Sequence, residues 1–241
     1  MTNIALDTNT WIYLTNDTFY ELWLRLKKMS GEKKIQIIIN DVILKEWERN
    51  KKTTIKTLTN NIKNEYKSAI KLSNYLAEET KDKYLEIISQ YKDEKTRIAK
   101  AQVRVEEVEA FMKSCTFISV TEKQKLFISE LAINKLPPFH NRKNNFNDAL
   151  IIRNICEFVE NETPQLYDLI YVSNNPSDFI DEKTKMIYET LLSGLEPRLK
   201  NVTGLGEALE LAPELIEDFD EWLEYHLERE AEAYYDMVRG K

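Results

Sequence analysis

Four acidic residues fall where a folded chain could bring carboxylates together: Asp7, Glu46, Asp148 and Asp178. Asp7 closes the apolar run Ile4-Ala5-Leu6, Glu46 follows Asn40-Asp41-Val42-Ile43-Leu44-Lys45, Asp148 stands in Asn147-Asp148-Ala149-Leu150-Ile151, and Asp178 follows Ser173-Asn174-Asn175-Pro176-Ser177. Each alone has an ordinary explanation. A strand-end Asp caps the next helix, a Glu one turn into a helix is solvated, an Asp in a first turn suits the helix dipole, and Asp and Asn are at home in turns. Convergence changes their meaning. Several carboxylates held close raise one another's pKa and cannot all stay ionised without a cation. Hard divalent ions with oxygen ligands supply that charge. With only two Cys and two His in the sequence and no Cys/His cluster, Mg²⁺ or Mn²⁺ is expected over zinc. Such an ion lowers the pKa of a bound water for attack on a phosphodiester and neutralises the leaving oxygen.

The elements that would position these acids read as an alternation of strands and helices. Asn3 to Leu6 is a short buried strand, and Phe19, Leu22, Trp23 and Leu26 follow at helical spacing. Ile35 to Ile39 is a β-branched run, as expected for a strand covered on both faces, and Asn40 or Asp41 caps the helix after it. From Val42 to about Lys113 there is no Gly or Pro, and apolar residues keep three-to-four spacing. Two long helices are expected there, broken near Glu78 to Asp82 and projecting as a helical hairpin too long for an ordinary crossover. Thr116 to Val120 is the next strand, Glu122 to Asn134 a helix, and another helix carries Asp148, Ile152, Ile155 and Phe158. Leu169 to Val172 is a fourth strand, Leu199 to Val202 a fifth at the edge, and Gly204 to about Val238 an acidic helix. The fold class is therefore α/β, a parallel sheet with helices on both faces, and such sheets place their sites outside the carboxyl ends of the strands. By that rule the four acids meet at one sheet edge.

The order Ile-Ala-Leu-Asp-Thr-Asn, Asp-Val-Ile-Leu-Lys-Glu, Lys143-Asn144-Asn145-Phe146-Asn147-Asp148-Ala149-Leu150-Ile151, and Tyr171-Val172-Ser173-Asn174-Asn175 through Asp178-Phe179 resembles the PIN-domain nuclease family. It is most similar to the larger bacterial branch that carries a long helical insertion after the second acidic motif. The likeness covers roughly residues 3–45 and 116–180. It implies a three-layer α/β/α Rossmann-like sandwich, endonuclease activity mostly on RNA, Mg²⁺ or Mn²⁺ as cofactor, and metal ligation by Asp7, Glu46 and Asp148. Thr8 or Asn9 would orient the first carboxylate or a water. The fourth motif departs from the commoner family pattern, with Asn174 or Asn175 where an acid is usual; either Asp178 replaces it or one metal binds tightly. A growth-inhibiting toxin or phage-defence role is an extrapolation from the family alone. Two alternatives stay open: a structure-selective DNA nuclease, and a catalytically weakened scaffold that binds RNA or a regulatory partner.

The net charge of −7 does not exclude a polyanionic partner, because the charge is uneven. Between Lys45 and Arg104 there are fifteen Lys/Arg against nine Asp/Glu, whereas from Gly206 onward there are three against twelve. Screening limits reach to about 10 Å at 0.1 M salt, so local patches decide. Lys52, Lys56, Lys63, Lys67 and Lys71 recur at helical spacing after Glu46 and read either as a solvated face or as a phosphate track. In the loop before Asp148, His140, Arg142 and Lys143 could meet phosphates, and Asn144 and Asn145 sugar or backbone. Arg153, one turn after Asp148, is a partner for the carboxylates or a structural arginine. Trp222, Tyr225, Tyr234 and Tyr235 in the acidic tail invite an interaction reading, though aromatics at this spacing usually pack a helix onto its own domain.

The expected organisation is a nuclease domain over 1–204, with the helical insertion at about 48–113, and an acidic extension over 205–241. Cys115 and Cys156 are expected reduced, without a disulfide framework. Absence of a signal-like N-terminus and of any membrane-length apolar run points to a soluble cytoplasmic protein. Nucleic acid, RNA preferred over DNA, is the expected partner, with no membrane association and with a homodimer or a regulatory protein as a further candidate.

Overall fold

In the computed structural model, which describes residues 1–141, 145–162, 169–175, 179–181, 183–184, 186–193, 195 and 199–213, the β-branched runs form a five-stranded parallel sheet. Its strands are β1 (Thr2–Leu6), β2 (Ile35–Asn40), β3 (Thr116–Ile118), β4 (Leu169–Val172) and β5 (Leu199–Val202), in the order β3-β2-β1-β4-β5. Every residue of β1 and β4 is buried, as a central strand covered on both faces requires. β3 is shorter than expected: Phe117 is half exposed on the sheet edge and pairing stops at Ile118, before Val120.

The helices are α1 (Thr8–Tyr13), α2 (Tyr20–Gly31), α3 (Asp41–Ser73), α4 (Glu78–Ser89), α5 (Glu94–Ser114), α6 (Glu122–Ile133), α7 (Phe146–Glu162), α8 (Glu189–Leu192) and α9 over 205–213. α2 packs with α5 and α6 with α7, and for this strand order the right-handed crossover rule assigns the two pairs to opposite faces of the sheet. The edge of Trp23 on α2 meets Phe111 on α5 at 5.1 Å, and Arg104 of α5 lies over Trp23 while donating to the Leu14 carbonyl at 2.7 Å. α9 runs back along the sheet, where Ala212 accepts from the Thr2 hydroxyl and Leu209 from Arg25. The acidic segment beyond it, with Trp222, Tyr225, Tyr234 and Tyr235, lies outside the described residues.

The helical segment between β2 and β3 corrects the sequence reading in detail. It is three helices, not two, and Glu78 to Asp82 lies inside α4 instead of breaking it. The acids at Glu78 and Glu79 begin a helix, because carboxylates in a first turn face the positive end of its dipole. The real second break is at Gln90–Lys92, where buried Arg97 donates to the Tyr91 and Lys92 carbonyls and Asp93 caps α5 through the Thr96 amide. α3 and α5 then run antiparallel, clamped by Glu109, whose carboxylate takes both Lys51 of α3 and Lys113 of its own helix.

A buried polar network locks α3 to the sheet. Asn40, fully buried, accepts from the Ile43 amide as the α3 cap and donates to Asn154 on α7 at 3.1 Å. Asn154 in turn donates to the Ser119 carbonyl and to Gln124, which caps α6 reciprocally with Thr121. Both cysteines are free thiols, and burial pushes each up to about 12, so neither is a thiolate near neutral pH.

Two stability effects follow. Asn40→Ala removes a cap and strands Asn154, so urea denaturation should show a loss of about 2–3 kcal/mol with an unchanged m-value. Glu109 loses affinity for its proton on folding: burial alone would raise its pKa, but hydrogen bonds from Lys113 and Lys51 outweigh that and lower it. A lowered carboxylate stabilises above the unfolded value and loses that contribution as pH falls through the folded one. The acid-side decline in unfolding free energy should therefore be shallower in Glu109→Gln, as followed by denaturation from neutral pH to below the ordinary glutamate value of 4.5.

Candidate active site

The strand order reverses between β1 and β4, and their ends are level, with Leu6 opposite Val172. At such a point the two chains diverge and leave a crevice outside the carboxyl edge of the sheet. Asp7 enters it directly after β1. Its amide extends the strand pairing by donating to the Val172 carbonyl at 3.0 Å, and its Oδ1 caps α1 by accepting from the Thr10 amide at 2.6 Å. Cap and candidate ligand are thus the same residue, since only one carboxylate oxygen is used by the cap.

Glu46 comes from the second turn of α3, and its carboxylate is fixed from two other elements. The Thr8 hydroxyl at the start of α1 donates to Oε2 at 2.7 Å, and the Asn147 amide at the start of α7 donates to Oε1 at 2.6 Å. Thr8 therefore orients the second acid, not the first. Asp148, in the first turn of α7, faces the same space. After β4 the chain makes a hydroxyl-stabilised turn in which Ser173 Oγ accepts from the Asn175 amide.

One cavity of about 460 Å³ collects these groups: Asp7, Thr8, Asn9, Glu46, Asp148 and Asn175, together with Arg49, Asn50, Ile151 and Ser173. Arg49 lies loosely against Glu46, 3.6 Å from Oε1, with its side chain 66% exposed. Among the described residues no three His, Cys, Asp or Glu side chains stand close enough to hold a metal ion by themselves. The donor set is nevertheless all hard oxygen, and Mg²⁺ keeps several waters while taking one or two carboxylates, so the cavity suits an ion bound partly through water.

Other candidates fall elsewhere. Asn174 is exposed and does not line the cavity. Lys52, Lys56, Lys63, Lys67 and Lys71 are exposed along α3, outside the cavity wall. His140 is exposed and meets Tyr188 edge-on at 5.6 Å. Arg153 proves structural: it donates to the Leu191 and Ser193 carbonyls, pairs with Glu157 and covers the Phe127 ring. Arg142, Lys143, Asn144 and Asp178 lie outside the described residues. Sequence reasoning missed Arg49, Asn50 and Asn147 as site residues. The first two carried a readable signal, three and four positions after Glu46 and hence on its helix face; Asn147 carried none beyond adjacency to Asp148.

A family model described as PIN domain matches residues 4–179, a span that runs through the helical segment as well as the motifs on either side of it. No curated protein and no solved structure matches the chain. PIN domains are generally nucleases and typically use divalent metal ions. With the parallel sheet, the crevice between β1 and β4 and a family match over most of its length, the chain belongs to the PIN-domain family.

Proposed function

We propose that this protein is a Mg²⁺- or Mn²⁺-dependent endonuclease acting on RNA in preference to DNA, with Asp7, Glu46 and Asp148 as its metal-holding carboxylates and Asp178 as the fourth candidate. The observation that carries the reading is that Asp7 after β1, Glu46 of α3 and Asp148 of α7 line one oxygen-rich cavity. A divalent ion bound there supplies an activated water and neutralises charge on the leaving oxygen. The chain's own groups do the rest. Thr8 and Asn147 hold Glu46 so that its carboxylate does not turn away from the cavity. Asn9, Asn50, Ser173 and Asn175 line the wall with groups able to orient a water or a phosphate oxygen. Preference for RNA rests on the family resemblance, as does a toxin or phage-defence role. No helix among the described residues is long and apolar enough to cross a membrane, which accords with the cytoplasmic location proposed.

A second reading is a catalytically weakened PIN scaffold that binds RNA or a regulatory protein. Asn174 or Asn175 at the place where the family more often has an acid, and the lack of a compact three-carboxylate group among the described residues, favour it. Labelled RNA, single-stranded DNA and flap DNA incubated with Mn²⁺, Mg²⁺ or EDTA separate the possibilities: metal-dependent cutting of RNA supports the first proposal, whereas tight RNA binding without turnover supports the scaffold.

Asp7→Asn and Asp148→Asn should each lower cleavage by about 10³-fold, equivalent to about 4 kcal/mol of transition-state stabilisation, without unfolding the protein, since Asn caps α1 as well as Asp and is isosteric with it in the first turn of α7. Retained turnover in either variant would sink the assignment. Thr8→Val and Asn147→Ala each remove one of the two donors that hold Glu46. They should cost about 10–100-fold and raise the metal concentration needed for half-maximal rate, a shift that a purely structural defect would not produce.

A further inference from the structure

α3 leaves the cavity at Glu46 and runs outward for the rest of its length, packed against α5 on one side. Its buried side chains, Trp47, Thr54, Leu58 and Thr59, define the inner face. On the outer face, Arg49, Lys56, Lys63, Lys67 and Lys71 fall within about 80° of one another at the 3.6-residue turn, with Lys52 beside them. All five lysines are exposed and none is in an ion pair among the described residues, while Lys45, Lys51, Lys81 and Lys113 of the same helical segment are paired with Asp41, Glu109, Glu78 and Glu109. No acid occurs on α3 between Glu48 and Glu65, and both of those lie off the basic stripe. Thr53, Thr57, Asn60 and Asn64, exposed between the cations, offer hydroxyl and amide groups.

We propose that this face is a track for one single strand of nucleic acid, leading about 33 Å away from the cavity, with Arg49 gripping the phosphate at its mouth. The proposal rests on the reading of the cavity as the cleavage site. Two features favour a single strand over a duplex. The cations form one file on one helix about 10–12 Å across, and Glu48, beside the file at its cavity end, would repel a second phosphate row. Arg49 is suited to the mouth because it lines the cavity and its contact with Glu46 is loose, Oε1 being already taken by Asn147 at 2.6 Å; the guanidinium fork is open to a phosphate. The substrate it implies is a strand that extends well to one side of the scissile bond.

Fluorescence anisotropy in EDTA tests this without turnover, using single-stranded RNAs of about 20 and about 6 nucleotides and a duplex of the longer one. Six cations at about −0.7 each give a salt slope of about −4 for the long strand. The combined variant Lys63→Ala, Lys67→Ala and Lys71→Ala should bring the slope to about −2 and weaken the long strand about tenfold, removing most of its advantage over the short one. Arg49→Gln should slow cleavage of both lengths in Mn²⁺. An unchanged slope in the triple variant, equal weakening of both lengths, or tighter binding of the duplex would each overturn the track. Lysine-dependent binding without any metal-dependent cleavage would leave the track standing and overturn the nuclease reading instead.

Discussion

The carboxylate of Glu46 is the point on which the site depends. It sits between α1, α3 and α7 with both oxygens taken, one by the Thr8 hydroxyl and one by the Asn147 amide. Three acids that share a cavity repel one another, and a freely rotating glutamate on a helix would relieve that repulsion by swinging to solvent. Donors on two other elements prevent this, so the charge density of the cavity is built into the backbone arrangement. The same donors require α1 and α7 to begin within hydrogen-bonding reach of α3, and the sheet order fixes those starting points by placing β1 beside β4 at the reversal.

The supports behind that clamp are polar and buried. Asn40 ends β2, caps α3 and reaches Asn154 across the sheet edge, so the helix carrying Glu46 is registered against the helix carrying Asp148 by side-chain amides and not by apolar packing alone. Hydrogen bonds have direction where hydrophobic contacts do not, and a chain that must hold several like charges at a common edge needs that direction. Asp7 shows the same economy, with one oxygen in the helix cap and the side chain still lining the cavity.

Much of this was legible in the sequence because it depends on local pattern. The β-branched runs at Ile35 to Ile39 and Leu169 to Val172 marked strands, and even the edge strand at Leu199 to Val202 was read at its observed bounds. Asp7, Glu46 and Asp148 were singled out as candidates from their places at strand and helix starts, and they line one cavity. What was not legible depended on tertiary contact. Asn147 looks like any residue before an Asp until α3 lies opposite it. The break before α4 was misplaced because Glu78 and Glu79 suit a helix start as readily as a helix end resists them. Arg97 closing the turn before α5 could not be foreseen from spacing, since its partners are backbone carbonyls. Arg49 could have been found from its helical offset to Glu46 but was passed over for the more numerous lysines.

Whether the cavity takes a divalent cation can be read from binding of Mn²⁺ to the purified protein, followed by electron paramagnetic resonance as the free-ion signal is lost on titration. Saturable Mn²⁺ uptake is expected of the wild-type chain, strongly weakened in both Asp7→Asn and Asp148→Asn while their circular dichroism is unchanged. Equal uptake by the variants, or no uptake by a folded wild-type protein, would contradict a cavity organised by its carboxylates for a divalent cation.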